Sequence, residues 1–145
     1  MDKATATDFL YNFSRLRFTE ACTVVTGSSG ALRYGKVVRG DEPPNGTYWA
    51  RVTCQIEDER QETLRLVERR WLTTGKLFIQ LFCPVEDPNA PLNVDLIAEL
   101  VRNPFRLYQG AEIEFTNPMI VDNVAAEPNW LRANVTCTYQ YRQFM

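Results

Sequence analysis

The chain contains no histidine among its 145 residues. That absence removes Ser-His-Asp and Cys-His nucleophilic chemistry and the HExxH zinc motif, because each needs an imidazole as base, acid or ligand. No apolar run is long enough to span a bilayer. The longest, Leu77 to Val85, carries Gln80 and falls far short of the ~20 residues that a spanning helix requires. The opening stretch MDKATATDFLYNF holds Asp2 and Asp8 and no uninterrupted apolar segment, so it does not read as a secretory signal. These features predict a protein made and kept in the cytosol. There is no Walker motif and no GxGxxG. Gly27-Ser28-Ser29-Gly30 lacks the lysine and the strand-then-helix context of a phosphate-cradling turn and reads as a plain loop. Neither sign of charge dominates: the net charge is −2, so no basic field recruits nucleic acid or an anionic membrane. Repeats and low-complexity tracts are absent too.

Cysteine is present but unpatterned. Cys22, Cys54, Cys83 and Cys137 are scattered, with no CxxC pair. Three of them fall on predicted strands in phase with apolar neighbours, which predicts buried, reduced thiols packing as small hydrophobes. Zinc or disulfides are the alternatives; zinc usually wants local ligand pairs and often histidine. No metal and no cofactor is predicted.

What is present is the material of one soluble domain spanning residues 1–145, long enough to bury a core without staples. An apolar stripe of Phe9, Leu10, Phe13 and Leu16, continued by Arg17, predicts a helix from about Ala4 to Arg17, capped by Thr5 or Thr7. Residues 21–25 (ACTVV) read either as its last turns or as a short strand, and Thr26 to Gly30 stops whatever precedes. A short extended piece is expected around Arg33 to Val38, then a strong turn over Gly40 to Gly46 with Pro43-Pro44. Tyr48–Ile56 alternates as a strand with Tyr48, Ala50, Val52, Cys54 and Ile56 on one face. Lys76–Cys83 is apolar on both faces and predicts a central strand covered on both sides.

A second helix is expected from Pro91 to Arg102, capped by Asn89 or Ala90. Its stripe is Leu92, Leu96, Ile97, Leu100 and Val101, and Asn103-Pro104 ends it. Strands over Ala111–Phe115, Met119–Val124 and Leu131–Tyr141 follow, separated by turns at Thr116-Asn117-Pro118 and Glu127-Pro128-Asn129. The order predicts an α+β fold: a mixed, mostly antiparallel sheet with two helices packed on one face. The expected core is Val52, Cys54, Leu77, Ile79, Leu81, Leu96, Leu100, Val135 and Cys137.

Charged residues give two further candidates. Glu57-Asp58-Glu59 could hold a divalent cation, yet neighbouring carboxylates at a strand end point to different sides and converge poorly. A solvated charged loop is the simpler reading. Asp95 and Glu99, at i and i+4, read as the wet side of the second helix. Arg15, Arg17, Arg33, Lys36 and Arg39, with Phe18 and Tyr34 interleaved, could track a nucleic-acid backbone; a polar surface is the alternative that the acidic balance supports. Between the two central strands, Leu64, Leu66, Val67 and Trp71 sit in an otherwise charged segment from Glu57 to Thr74. Apolar side chains in a polar arm imply a partner surface.

The order of segments resembles the tail-terminator-like proteins of long-tailed bacteriophages. A proline turn (Pro43-Pro44) precedes a W-x-R-V strand (Trp49 to Val52). A polar segment follows, Asp58-Glu59-Arg60-Gln61. An arginine-rich stretch then leads through Thr74-Gly75 into an apolar strand ending at Pro84. A Trp-led strand with Trp130, Val135 and Tyr141 closes the chain. Leu64 to Glu68 stands where the family has glycine-rich text. The resemblance implies a structural virion protein and not an enzyme: a homohexameric ring at the head-proximal end of a non-contractile tail, assembled in the host cytoplasm. The ring would cap the tail tube, meet the major tail tube protein and the head-completion or connector protein, and let genomic DNA pass without specific binding and without a membrane. A closing ring needs a heterologous interface. The residues assigned to it are Glu57, Asp58, Glu59, Arg60, Leu64, Leu66, Arg69, Arg70 and Trp71, on an arm expected to project from the sheet, with the acidic cluster facing the channel. Another neck component, a head–tail connector or completion protein, is the alternative. A small-ligand enzyme built on acidic residues and a monomeric nucleic-acid module are the readings from other classes.

Overall fold

The computed structural model describes residues 1–34, 46–63, 69–121 and 129–144. The first helix, α1 (Lys3–Thr26), begins at Asp2, whose Oδ1 accepts a hydrogen bond from the Thr5 backbone N–H at 2.7 Å. It stops at Gly27, where φ is 78° and the backbone N–H returns to the Thr23 carbonyl. A left-handed residue after the last turn suits glycine, which carries no Cβ. Residues 21–25 are therefore helical, and the cap is Asp2 in place of the expected Thr5 or Thr7. The buried stripe is also rotated from expectation. Ala6, Leu10, Ser14, Phe18, Ala21 and Cys22 face the core, while Leu16 is exposed.

Among the described residues, five strands form one sheet: β1 (Ala31–Tyr34), β2 (Trp49–Gln61), β3 (Arg70–Pro84), β4 (Ile113–Val121) and β5 (Trp130–Phe144), in the order β1-β2-β3-β5-β4. β1 runs parallel to β2, and every other pairing is antiparallel. The second helix, α2 (Ala90–Leu107), lies between β3 and β4 in the chain. Both helices cover the same face of the sheet. Val52, Leu77, Ile79, Leu81 and Val135 on that face meet Leu10, Phe18, Ile97, Val101 and Phe105 from the helices. The fold is α+β as expected, with β3 at the centre of the sheet.

Gly75 shows how closely neighbouring strands of the sheet pack. A Cβ there would fall 2.5 Å from the Tyr139 ring and 2.6 Å from the Gln55 carbonyl oxygen. Only a residue without a side chain lets the Tyr139 ring lie against the β3 backbone.

The opposite face of β3 carries a smaller aromatic cluster. Trp49 stacks on Phe82 with ring centroids 4.0 Å apart, and Trp130 meets Trp49 edge-on. The Arg51 and Arg132 guanidinium groups lie over the Phe82 ring at 5.8 and 5.2 Å. Phe82 is thus buried by aromatic neighbours and cations, and Phe78, further along that face, is half-buried.

Two proline signals mislead about boundaries. Pro104 lies inside α2 instead of ending it. It removes one backbone donor, but the helix continues because Phe105 is buried against Phe13 and Phe115, with centroids 4.9 Å away in each case. Thr116-Asn117-Pro118 is not a turn between strands. It is a bulge within β4, with Asn117 at φ 53° and the register shifting between Thr116 and Met119. β4 is an edge strand, where a proline costs no ladder bond on the open side. Residues 122–124, expected in the following strand, and the turn residues Glu127 and Pro128 lie outside the described residues.

Candidate assembly surface

β2 and β3 pair beyond the expected strand ends. Register runs from Trp49↔Phe82 to Gln61↔Trp71, shifting once between Ile56 and Asp58. β3 from Arg70 to Thr74 is also hydrogen-bonded to β5 from Phe144 back to Gln140. The segment expected to leave the sheet as an arm at Glu57 is therefore sheet as far as Gln61, and sheet again from Arg70. The reason lies in β5, which continues past Tyr141 to Phe144 and gives Arg70 to Leu72 a second partner.

Along this end, Glu57, Asp58, Glu59 and Arg60 are all exposed. The Glu57 carboxylate lies 3.8 Å from Lys76 Nζ. Asp58 stands opposite Thr74 and Glu59 opposite Thr73, so their side chains leave opposite faces of the ladder. The acidic run does not converge on a point, and no group of His, Cys, Asp or Glu among the described residues could hold a metal ion. Arg69 is exposed just before β3, and Trp71 is half-buried beside Gln61 and Gln143. Leu64 and Leu66, with Arg65, Val67 and Glu68, lie outside the described residues.

Sequence reasoning missed the charged residues that organise this end. Glu62 forms an ion pair with Arg70 Nε at 2.7 Å and accepts a hydrogen bond from Arg142 Nε at 3.1 Å. Arg142 also reaches Glu114 on β4 at 3.4 Å, and Gln140 Nε2 donates to the same carboxylate. The Glu62 side chain is only 16% exposed, so its two arginine partners offset its desolvation. Glu62 is also the first cause of the raised Arg142 pKa. The available signal was the charge at Arg142, one residue past the predicted end of the last strand.

Outside β1's reach, β2 from Thr53 to Gln61 has no partner on its outer side among the described residues. Such an edge presents unpaired N–H and C=O groups, and charged side chains along it discourage indiscriminate pairing.

Burial pushes the thiols of Cys54, Cys83 and Cys137 up to about 12 and raises that of Cys22, so none is a thiolate near neutral pH. All four are free. Tyr48 donates its hydroxyl to Asp87 Oδ2 at 2.6 Å and accepts from Asn93 Nδ2 at 2.9 Å, tying the start of β2 to α2 and the turn before it. Of the basic residues in the N-terminal third, Arg17 pairs with Glu20 at 3.0 Å and lies over the Phe13 ring. Lys36 and Arg39 lie outside the described residues. A cleft of about 460 Å³ between α2 and β4 is lined by Asp95, Ala98, Glu99, Arg102, Arg106, Met119 and Ile120. No described helix is long and apolar enough to cross a membrane.

No family model matches the chain, and no curated protein matches it. Among solved structures, one chain whose name states no activity superposes with a TM-score of 0.49 at 12% identity, covering 96% of each chain. A likeness that distant carries no argument about function.

Proposed function

We propose that this chain is a tail-terminator subunit of a non-contractile phage tail, joined with copies of itself into a six-fold ring between tail tube and head-completion proteins. The observation that carries the reading is the long β2–β3 ladder. It joins the residues of the W-x-R-V strand, the polar segment and the Thr-Gly strand in one ladder, with a single register shift between Ile56 and Asp58. That ladder ends in an edge without an outer partner among the described residues, bearing Glu57, Asp58, Glu59 and Arg60. A closing ring needs two unlike surfaces on each subunit, and a one-sided, mixed-charge edge can serve as one of them. Mixed signs favour one docking geometry over others. The exposed acidic residues would also keep passing DNA from adhering.

The test is capping of purified tail tubes, followed by negative-stain microscopy. The expected result is six-fold rings on tube ends. Asp58→Lys combined with Arg60→Glu should keep the circular dichroism of the parent and lose the rings, since both side chains are exposed. Rings that bind the head connector but not the tube would move the assignment to another neck component. A subunit that forms no ring and binds neither overturns the reading.

A further inference from the structure

We infer that the outer face of α2 is a self-association surface, at which two copies of this chain pair their α2 helices antiparallel about a two-fold axis near Leu100. The inference rests on α2 and the adjoining end of α1 and is independent of the ring.

The helix has two apolar stripes. One, through Val94, Ile97, Val101 and Phe105, is buried against the sheet and α1. The other faces solvent: Leu92, Leu96, Leu100 and Leu107 are 63, 41, 39 and 77% exposed. Val24 of α1, 75% exposed, continues this surface across an apolar groove of about 260 Å³ beside Leu100, Pro104 and Leu107. Four leucines in solvent on one helix form a contiguous patch, unlike the single apolar residues normal on a surface.

The charges beside the stripe say what covers it. Asp95 and Glu99 flank its N-terminal half, and Arg102 and Arg106 its C-terminal half. None of the four has an ion-pair partner among the described residues. Within the helix two like-charged pairs, Asp95 with Glu99 and Arg102 with Arg106, stand at i and i+4 and oppose the one favourable pair, Glu99 with Arg102 at i and i+3. The helix dipole accounts for Arg106, which is in the last turn, but acts only near the ends and does not offset the repulsion between Asp95 and Glu99.

A second copy resolves the pattern. In an antiparallel pair, the flank of one helix faces the same flank of the other. With Leu100 at the axis, Glu99 of each copy falls beside Arg102 of the other, and Asp95 beside Arg106. Leu96 and Leu100 fill the seam. The surface is complementary to itself, as an isologous contact requires, and flanking charges of this kind set partner and direction.

Sedimentation equilibrium on the intact chain tests this. The parent should show a concentration-dependent monomer–dimer equilibrium. Glu99→Arg sets a new arginine against Arg102 of the other copy, and Arg102→Glu sets a new glutamate against Glu99. Each change should weaken dimerisation by roughly tenfold or more. Mixing the two variants should favour mixed dimers over either variant's own, because in a mixed dimer the arginine placed at position 99 of one copy faces the glutamate placed at position 102 of the other, and the unchanged Arg102 faces the unchanged Glu99, so both facing pairs are opposite in sign, whereas each variant alone sets like charges at both. Both positions are outside the core, so each variant should keep the parent's circular dichroism. The double variant Glu99→Arg with Arg102→Glu exchanges the two charges and should restore dimers by itself, since each facing pair is again opposite in sign. A parent that stays monomeric to its solubility limit overturns the proposal, as does a double variant that pairs no better than either single one. A ring without dimers, or dimers without a ring, separates this inference from the terminator reading.

Discussion

The two stripes of α2 differ in a way that their hydrophobicity does not announce. The buried one is built from Ala90, Val94, Ile97, Ala98, Val101 and Phe105, and the exposed one from Leu92, Leu96, Leu100 and Leu107. Leucine is the more apolar choice, yet the alanine-bearing stripe faces the sheet. Ala90 and Ala98 are fully buried and let the helix backbone approach the sheet closely, while Phe105 fills the wider space beside Phe13 and Phe115. Shape complementarity to the sheet selects the inner stripe. A second stripe is then left for something outside the monomer.

The largest expected effect lies on the inner side. Ile97→Ala deletes side-chain atoms at a fully buried position between the sheet and α1 and should cost about 2–5 kcal/mol, read as a shift in denaturant midpoint at unchanged slope. A cost near zero would break the comparison, because it would mean that the inner stripe is not packed.

The sequence showed the element types and the sheet-facing alternation well. Strand β5 buries every second residue from Ala133 to Tyr141, as its pattern predicts, and Val52, Leu77, Ile79, Leu81, Val135 and Cys137 are buried as expected. Leu96 and Leu100 were assigned to the core and are exposed; Cys54 is only half-buried. Periodicity finds an apolar stripe, but α2 has two side by side, and choosing between them needs the tertiary partner. Proline at 104 and 118 reads locally as a stop. Whether it is one depends on Phe105 finding its pocket and on β4 being an edge, neither of which is a local property. At the candidate surface, the exposed charges Glu57 to Arg60 were legible, but their place in a ladder was not. The long β5 that pairs with Arg70 to Leu72 is a contact between distant segments.

Alkaline titration sharpens the same comparison, because the inner layer holds Cys22, Cys83 and Cys137 and the outer stripe holds no titratable group. Burial raises these thiols above their ordinary 9.0, to about 12 for Cys83 and Cys137. Below pH 9 they are protonated whether the chain is folded or unfolded, and their contribution to stability is fully present. Above it the unfolded chain releases protons that the folded chain keeps, so stability falls as pH rises toward 12. Urea midpoints at rising pH should decline over this window. Cys83→Ala should flatten the decline even if it lowers the midpoint at neutral pH. An identical slope in the variant would mean that the Cys83 thiol is not held in an apolar layer.

The smallest effect belongs to the outer stripe, and its smallness is informative. Leu96→Ser, measured below the concentration at which copies associate, should change stability by no more than about 0.5 kcal/mol, the range of surface positions. Leu96 and Ile97 are neighbours in sequence, on the same helical turn and of equal carbon count, so intrinsic differences between them are minor. What separates them is that Ile97 is fully buried and Leu96 is 41% exposed. Serine also lowers helix propensity by a few tenths of a kcal/mol, which lies within the expected change. A loss comparable to that of Ile97→Ala would place Leu96 in the monomer's own packing and leave nothing for a second copy to cover. A neutral monomer whose association is weakened would assign the leucine to the contact between copies, because the only surface it then lacks is one that the isolated chain does not bury.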